Sequence, residues 1–244
     1  MALFDSSCDF AGPVYRNIVS LRVSANLFDD LVPEPKVQEL ANRAEMRVRA
    51  VGPGVIERGL AYSESIGYPF EADRAVASRF GDGSIRVWYG ALEQDTALAE
   101  TCYHQIQMLR DIEGIDRVVT RYRKVWQVQA AGLFCDLRGK AEEFPELLGD
   151  DYAYPQAVGK RLAHEGLPGL LYDSARWPGG QCLAAFRADP LSQPLQLYDL
   201  TYRIDAVAGV VEVEREPGKL LCRLNLTQLS RLAGRTRCLQ GDGV

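Results

Sequence analysis

The sequence has only two histidines, His104 and His164, and this scarcity limits the chemistry open to it. A histidine-rich metal site is excluded, and a Ser-His-Asp triad would have to use one of the two. His164 lies near Gly166 at the end of a predicted helix, where a solvated capping residue is expected. The motifs G-x-S-x-G, G-x-x-x-x-G-K-S/T, H-E-x-x-H and G-x-G-x-x-G are all absent. The signatures of α/β-hydrolases, P-loop proteins, zinc proteases and dinucleotide-binding Rossmann folds are therefore missing.

Neither paired cysteines nor long apolar segments occur in the chain. The six cysteines lie far apart without a C-x-x-C pair, which predicts reduced, structural thiols and no metal bound through cysteine. No apolar run approaches the roughly 20 residues that span a bilayer. The start, MALFDSSCDF, has neither the basic segment nor the long apolar segment of a signal peptide. We therefore expect a cytoplasmic protein without membrane association.

An excess of basic residues is also lacking. The chain has 28 Lys and Arg against 33 Asp and Glu, for a net charge of -5, which argues against direct binding of nucleic acid or anionic membranes. Hydrophobic residues make up 47% and charged residues 25%, as in folded globular proteins. A length of 244 residues allows one large domain, alone or with an extension.

The residue pattern of the N-terminal part of the chain is typical of an extension to the main domain. Pro33 and Pro35 precede the segment 36–50, in which apolar residues follow helical spacing, and Gly-Pro-Gly at 52–54 ends that pattern. We predict a helical N-terminal extension over 1–58, a main domain over 59–205, and a C-terminal hairpin and tail over 206–244 packed on the core. The 36–50 helix offers a surface for a homodimer, the commonest soluble assembly.

The main domain begins with strand-like runs and a helix. AVASRF and IRVWYGAL flank Gly-Asp-Gly at 81–83, which predicts a hairpin between them. TALAETCYHQIQML follows, rich in helix formers and free of Gly and Pro, and predicts a helix. KVWQVQAAGLF predicts a strand, and AEEFPELL and YPQAVGKRLAHEG predict helices, the second ended by Gly166.

The remainder of the chain returns to strands. GLLYDSA, CLAAF, LQLYDLTYRI and the pair VVEVERE and KLLCRLNL around Pro217-Gly218 carry β-branched or aromatic residues between turn signals. Strands and helices occur in clusters without regular βαβ alternation. The predicted class is α+β, with a mixed, mainly antiparallel sheet core flanked by helices.

Arg79, Tyr89 and Glu100 recur at nearly even intervals across the predicted hairpin and helix. If both elements form, the three side chains face one cleft. A guanidinium suits phosphate oxygens, an aromatic ring offers a stacking face, and a carboxylate accepts sugar hydroxyl groups and opposes positive charge. Together they favour a phosphorylated nucleoside. Each residue taken alone is also an ordinary exposed or half-buried side chain. The spacing by itself therefore leaves both a nucleotide site and an ordinary structural role open.

Four separated blocks carry a family resemblance: S-R-F-G, W-Y-G-A-L-E, T-A-L-A-E-T and L-Y-D-S-A-R-W-P-G-G. Over residues 60–190 the sequence resembles the RES-domain family of bacterial toxins, whose signature is an Arg, a Glu and a Ser in this order. The resemblance implies an ADP-ribosyltransferase-like fold and an enzyme that consumes NAD by hydrolysis, phosphorolysis or transfer of ADP-ribose. The domain predicted over 59–205 is then the RES domain.

The resemblance also implies roles for individual residues. The family's Arg, Tyr, Glu and Ser match Arg79, Tyr89, Glu100 and Ser174. Glu100 would stabilise the oxocarbenium-like sugar left when nicotinamide departs, and Arg79 would bind the pyrophosphate. Tyr89 would stack on a ring and Ser174 would hydrogen-bond phosphate or ribose. NAD is then the substrate and no metal is required; Tyr68, His104 and Arg176 are further candidates for NAD contacts.

Two positions depart from the family pattern. Gly67-Tyr68 stands where many members have an Arg-Tyr pair, so one phosphate contact is either missing or supplied by Arg58 or Arg74. Gly179-Gly180 is followed by Gln181-Cys182, where the family often has an asparagine.

The implied biological role is that of a toxin in a bacterial type II toxin-antitoxin system. Its partner would be an antitoxin with an Xre-type helix-turn-helix DNA-binding domain, which leaves DNA contact to that partner. Water, phosphate and a protein all stay open as acceptors of ADP-ribose. The alternatives are an ADP-ribosyltransferase with a specific protein target and a non-catalytic, partner-binding protein of RES fold.

Overall fold

The computed structural model describes residues 3–20, 62–71, 76–115 and 117–230. The helix predicted over 36–50, Arg58, Arg74 and the tail beyond residue 230 lie outside the described residues. Within them, ten strands are β1 Ser7–Val19, β2 Ala77–Ser78, β3 Gly81–Asp82, β4 Trp88–Ala91, β5 Val119–Asp136, β6 Gly169–Asp173, β7 Gln181–Ala185, β8 Leu191–Asp205, β9 Val210–Glu216 and β10 Lys219–Asn225. The same ranges contain three α-helices, which are α1 Gln94–Arg110, α2 Ala153–His164 and α3 Leu226–Ser230.

Eight strands form one sheet in the order β1-β4-β7-β6-β5-β8-β9-β10. Strand β1 also pairs with β5, so β1, β4, β7, β6 and β5 close into a ring. Neighbouring strands run antiparallel except β5 and β6, which are parallel in the described part of the chain. Helices α1 and α2 flank the sheet. The α+β class with a mixed, mainly antiparallel sheet is confirmed.

The described residues form three hydrophobic clusters around the sheet. One lies where α1 packs on β8 and β9, around Ile106 and Tyr202. A second lies under α2, around Leu162 and Phe80. The third covers the other face of the ring strands, around Trp88. All five of these side chains are buried. Burial of large apolar side chains on both faces fixes the ring strands in their register.

The segment Ser7–Val19 corrects the predicted helical extension over 1–58, because it is a strand of the main sheet. It pairs with β5 from Ser7↔Cys135 to Val19↔Arg123. Gly12 and Pro13 in its middle mask the strand pattern in the sequence. Its partner lies more than 100 residues away, so only tertiary pairing reveals the strand.

The predicted hairpin between AVASRF and IRVWYGAL is also wrong in its pairing. β2 pairs with β3 through Ala77↔Asp82 and Ser78↔Gly81, so Arg79 lies in the turn of a much smaller hairpin. β4 pairs instead with β1 and β7. The φ angle of +89° at Gly83 lets the chain leave β3 away from β4.

The later predicted elements form largely as expected. α1, β5, α2, β6, β7 and β8 cover their predicted segments, and β9 and β10 form the hairpin around Pro217-Gly218. Gly166 has a φ of +83° just after α2, as its predicted capping position requires. AEEFPELL forms two 3-10 turns, Lys140–Glu142 and Pro145–Leu147, because Pro145 cannot continue a helix from the preceding turn. None of the helices in the described ranges has the length and apolarity needed to cross a membrane.

Candidate active site

A cavity of about 630 Å³ opens where β1 and β4 part from each other. The two strands share the register pair Tyr15↔Ala91, and residues on both sides of this pair line the cavity. Most of the walls come from β1, the 62–71 segment, the β2-β3 turn, β4 and α1, and single residues come from β5, β6, β7 and position 152. The charged and aromatic lining residues are Tyr15, Arg16, Glu64, Tyr68, Arg79, Tyr89, Glu100, His104, Arg123, Tyr152 and Tyr172.

Backbone carbonyl groups of residues 147–152, called the 147–152 loop below, hold Arg79 in place. Its Nη1 donates to the carbonyl oxygens of Leu147 at 3.0 Å and Gly149 at 2.8 Å. Its guanidinium carbon lies 4.7 Å from the ring centre of Tyr152, a cation-π contact. The side chain is 8% exposed. Arg79 is therefore a pre-positioned cation in the cavity lining.

Gly159 of α2 lets the helix approach the turn that carries Arg79. A Cβ atom at this position would lie 2.0 Å from the carbonyl oxygen of Phe80. Real Cβ atoms essentially never come that close to a backbone oxygen, so only glycine fits between the helix and the turn.

Tyr89 connects β4 to the same turn. Its hydroxyl accepts the backbone N–H of Phe80 at 2.9 Å and lies 2.8 Å from the hydroxyl of Ser78. Burial is the main cause that raises the pKa of Tyr89 to about 12, so the phenol is neutral at physiological pH. The ring of Tyr89 forms part of the cavity wall, while its hydroxyl fixes the turn.

Glu100 on α1 is oriented by Ser174. The Ser174 hydroxyl donates to Glu100 Oε1 at 2.6 Å and accepts the backbone N–H groups of Arg176 at 3.1 Å and Trp177 at 3.0 Å. His104, one helical turn after Glu100, places Nε2 3.7 Å from Glu100 Oε2. Glu100 lines the cavity, whereas Ser174 is buried behind it. Ser174 is thus in position to hold the carboxylate in one orientation.

Arg176 lies outside the cavity lining, and its contact with a nucleotide stays a prediction. Its Nη2 donates to Asp150 at 2.7 Å, and its guanidinium carbon lies 3.5 Å from the ring centre of Tyr103. The side chain is 4% exposed, whereas that of Asp150 is 78% exposed. Arg176 therefore anchors the 147–152 loop, the same loop that holds Arg79.

The model of the RES domain family matches residues 54–205, more than half of the chain. The chain belongs to the RES domain family. Among solved structures, it is similar to the crystal structure of the M. tuberculosis MbcT-MbcA toxin-antitoxin complex, with 14% identity and a TM-score of 0.43. That likeness covers 78% of this chain and 86% of the other. No curated protein sequence matches the chain.

Of the residues predicted from the RES resemblance, Arg79, Tyr89, Glu100, Tyr68 and His104 line the cavity. They come together because the 62–71 segment, the β2-β3 turn, β4 and α1 all border this cavity. Among the described residues, no three His, Cys, Asp or Glu side chains come together as a metal site would require. The five cysteines in this part of the chain form no disulfide with one another.

The polar lining residues that the sequence reasoning missed include Arg16 and Asn17 on β1 and Arg123 on β5. Arg16 and Asn17 precede the segment that matches the RES family. The alternation of V-Y-R-N-I-V was the only local signal for a strand there. Neither Arg16 nor Arg123 carries a motif of its own, and they meet only through the pairing of β1 with β5.

Proposed function

We propose that this RES-domain protein binds NAD in the cavity between β1 and β4 and cleaves the bond between nicotinamide and ribose. The observation that carries the proposal is the pairing of Glu100 with Ser174 at 2.6 Å on the wall of a cavity that Arg79 also lines. A volume of about 630 Å³ suits a ligand of nucleotide size.

Glu100 supplies the negative charge that the reaction needs. Nicotinamide leaves as a neutral base from a positively charged ring, and the sugar carbon develops oxocarbenium character. A carboxylate beside that carbon stabilises the cation and accepts hydrogen bonds from ribose hydroxyl groups. Because Ser174 donates to one oxygen of Glu100, the carboxylate is already oriented before the substrate enters. Such preorganisation avoids a reorganisation cost during the reaction.

Arg79 supplies the contact to the pyrophosphate. Its fixed, planar guanidinium offers several donors to adjacent phosphate oxygens, and two loop carbonyls already restrict its rotamer. The rings of Tyr89, Tyr68 and Tyr152 offer apolar faces for the base or for nicotinamide. No metal is needed, because the leaving group is already activated by its positive charge.

Biochemical assay of the pure protein tests this activity. Incubation with NAD should release nicotinamide, and the ADP-ribose product identifies the acceptor as water, phosphate or a protein. The Glu100→Gln variant, which keeps shape and removes charge, is the matched control and should leave NAD intact. Equal NAD turnover in wild type and a folded Glu100→Gln protein would refute the mechanism.

The proposed biological role is that of a toxin paired with an inhibitory antitoxin. An enzyme that depletes NAD would arrest its own cell unless a partner restrains it. We expect a small protein with an Xre-type helix-turn-helix domain, which places an acidic group or chain terminus against Arg79 in place of pyrophosphate. Expression of the chain alone in bacteria should lower NAD and arrest growth, and co-expression of the neighbouring gene should restore growth. Harmless expression with unchanged NAD would contradict the role.

A further inference from the structure

The side chain and the backbone of Arg176 contact both halves of the candidate site. Its Nη2 donates to Asp150 Oδ1 at 2.7 Å, in the loop whose carbonyl groups hold Arg79. Its backbone N–H donates to the Ser174 hydroxyl at 3.1 Å, and that hydroxyl donates to Glu100. One residue, 4% exposed, therefore connects the loop behind Arg79 with the serine that orients Glu100.

The place of Asp150 in the chain gives its contact with Arg176 an effect on Arg79. Asp150 directly follows Gly149, whose carbonyl oxygen accepts from Arg79 Nη1 at 2.8 Å. That carbonyl and the N–H of Asp150 belong to one planar peptide unit, so a shift of the Asp150 backbone also moves the acceptor of Arg79. The other acceptor belongs to Leu147, whose side chain is itself buried in the core. The contact with Arg176 therefore restrains the part of the loop that burial does not.

The carboxylate of Asp150 interacts with both cations. The hydrogen bond from Arg176 is the main cause that lowers the pKa of Asp150, and the charges of Arg176 and Arg79 add to this shift. The carboxylate is therefore ionised at neutral pH. Arg176 packs on the ring of Tyr103, and its buried Nε has no hydrogen-bond partner among the described residues. Loss of Asp150 would leave a second donor of this buried cation without its acceptor, which favours a rearrangement of the loop.

We propose that Asp150 and Arg176 are positioning residues, which set the affinity for NAD by holding the 147–152 loop and, through it, the guanidinium of Arg79. Neither residue lines the cavity, so both act through Arg79 and not on the substrate. The effect on NAD rests on the proposed function, whereas the restraint of the loop does not. A contact that is equally strong in the ground state and the transition state changes KM and leaves kcat unchanged. Loss of the pair should therefore raise the KM for NAD.

Steady-state kinetics with NAD test the pair. Asp150→Ala and Arg176→Gln should each raise KM about ten-fold, the effect of one charge-assisted hydrogen bond, with kcat within about two-fold of wild type. The double variant should raise KM no further than the more affected single variant, because the two residues act as one unit.

Asp151→Ala is the matched control for this experiment. Asp151 is exposed in the same loop and accepts the backbone N–H of Ala153 at 2.9 Å, but it lies outside the cavity lining. Its KM should equal that of wild type. Thermal melting reports the fold of each variant. Because the side chain of Asp150 is 78% exposed, Asp150→Ala keeps the test open if Arg176→Gln does not fold.

Hydrogen exchange measures the loop without NAD. The backbone N–H groups of residues 147, 148 and 149 donate to the carbonyl oxygens of Phe144, Pro145 and Glu146. Asp150→Ala and Arg176→Gln should speed exchange of these three amides about ten-fold, since a loosened loop opens more often. Asp151→Ala should leave their exchange near the wild-type rate.

Three results would overturn the positioning role. The first is an unchanged KM and unchanged exchange in Asp150→Ala. The second is a rise in KM in Arg176→Gln that Asp150→Ala does not share, since it would indicate direct contact of Arg176 with the nucleotide. The third is an equal rise in Asp151→Ala, or additive rises in the double variant. Faster exchange of the loop in both variants of a protein that never consumes NAD keeps the restraint of the loop and rejects the proposed function.

Discussion

Gly159→Ala is expected to impair activity through the Arg79 turn. The added Cβ would lie 2.0 Å from the Phe80 oxygen and 2.9 Å from the Phe80 carbon, so the turn or α2 must move by about 1 Å to reach a normal contact. Such a shift breaks or lengthens the Arg79 donations to Leu147 and Gly149, at 3.0 and 2.8 Å. The activity should fall about 100-fold, the typical loss for a displacement of this size at reacting groups.

Gly159→Ala should lower the free energy of unfolding only moderately. Overpacking costs about 1 to 3 kcal/mol, and the better helix propensity of alanine offsets about 1 kcal/mol of it. Urea unfolding measures the free energy, and nicotinamide release from NAD measures activity. Gly166→Ala is the matched control: Gly166 has a φ of +83° and a Cβ added there would meet no atom within 4 Å, so alanine costs stability without touching Arg79. If both variants lose activity equally, or Gly159→Ala keeps it, the geometric argument is wrong.

Four further substitutions test single side chains of the site. Glu100→Gln should lose about 2 to 4 kcal/mol of transition-state stabilisation, measured as kcat/KM for NAD. Arg79→Lys should weaken NAD turnover strongly, because lysine keeps the charge without the planar fork; wild-type kinetics would make Arg79 structural. Ser174→Ala should lower kcat with little change in KM, since it frees Glu100 without removing a cavity contact, and a pure rise in KM would argue for direct substrate binding. Tyr89→Phe should lower the free energy of unfolding by about 1 to 3 kcal/mol, because it leaves the Phe80 N–H without its acceptor. Because the pKa of Tyr89 is raised to about 12, the same variant should leave the absorbance titration of tyrosine unchanged below about pH 11.

Local sequence patterns predicted much of the fold. α1 and α2 follow from runs of helix formers and a glycine stop, and β5 to β10 follow from β-branched and aromatic runs between turn signals. The signals of these elements lie in the composition of each segment, although β5 pairs with the distant strands β1 and β8. β1 escaped prediction because its strand character depends on pairing with β5, and Gly12-Pro13 obscured its alternation.

The site was predicted only in part for a similar reason. Arg79, Tyr89 and Glu100 have recognisable motifs, and the structure brings them to one cavity. The partners that hold Arg79 are backbone carbonyl groups, which every residue carries and which no sequence pattern distinguishes. Ser174 was predicted to contact the substrate, whereas its hydroxyl is committed here to Glu100 and two backbone N–H groups. Its contact with a bound substrate stays a prediction.

The pairing of β1 with β5 bears on which piece of this protein should be expressed alone. A fragment cut to residues 54–205 would keep the whole family match and all four motif residues. It would nevertheless leave β5 with a free edge along the stretch that β1 covers, from Arg123 to Cys135. Unpaired edges of this length recruit other chains and promote aggregation. A fragment for expression should therefore include β1, which completes the strand ring, and should begin before Ser7.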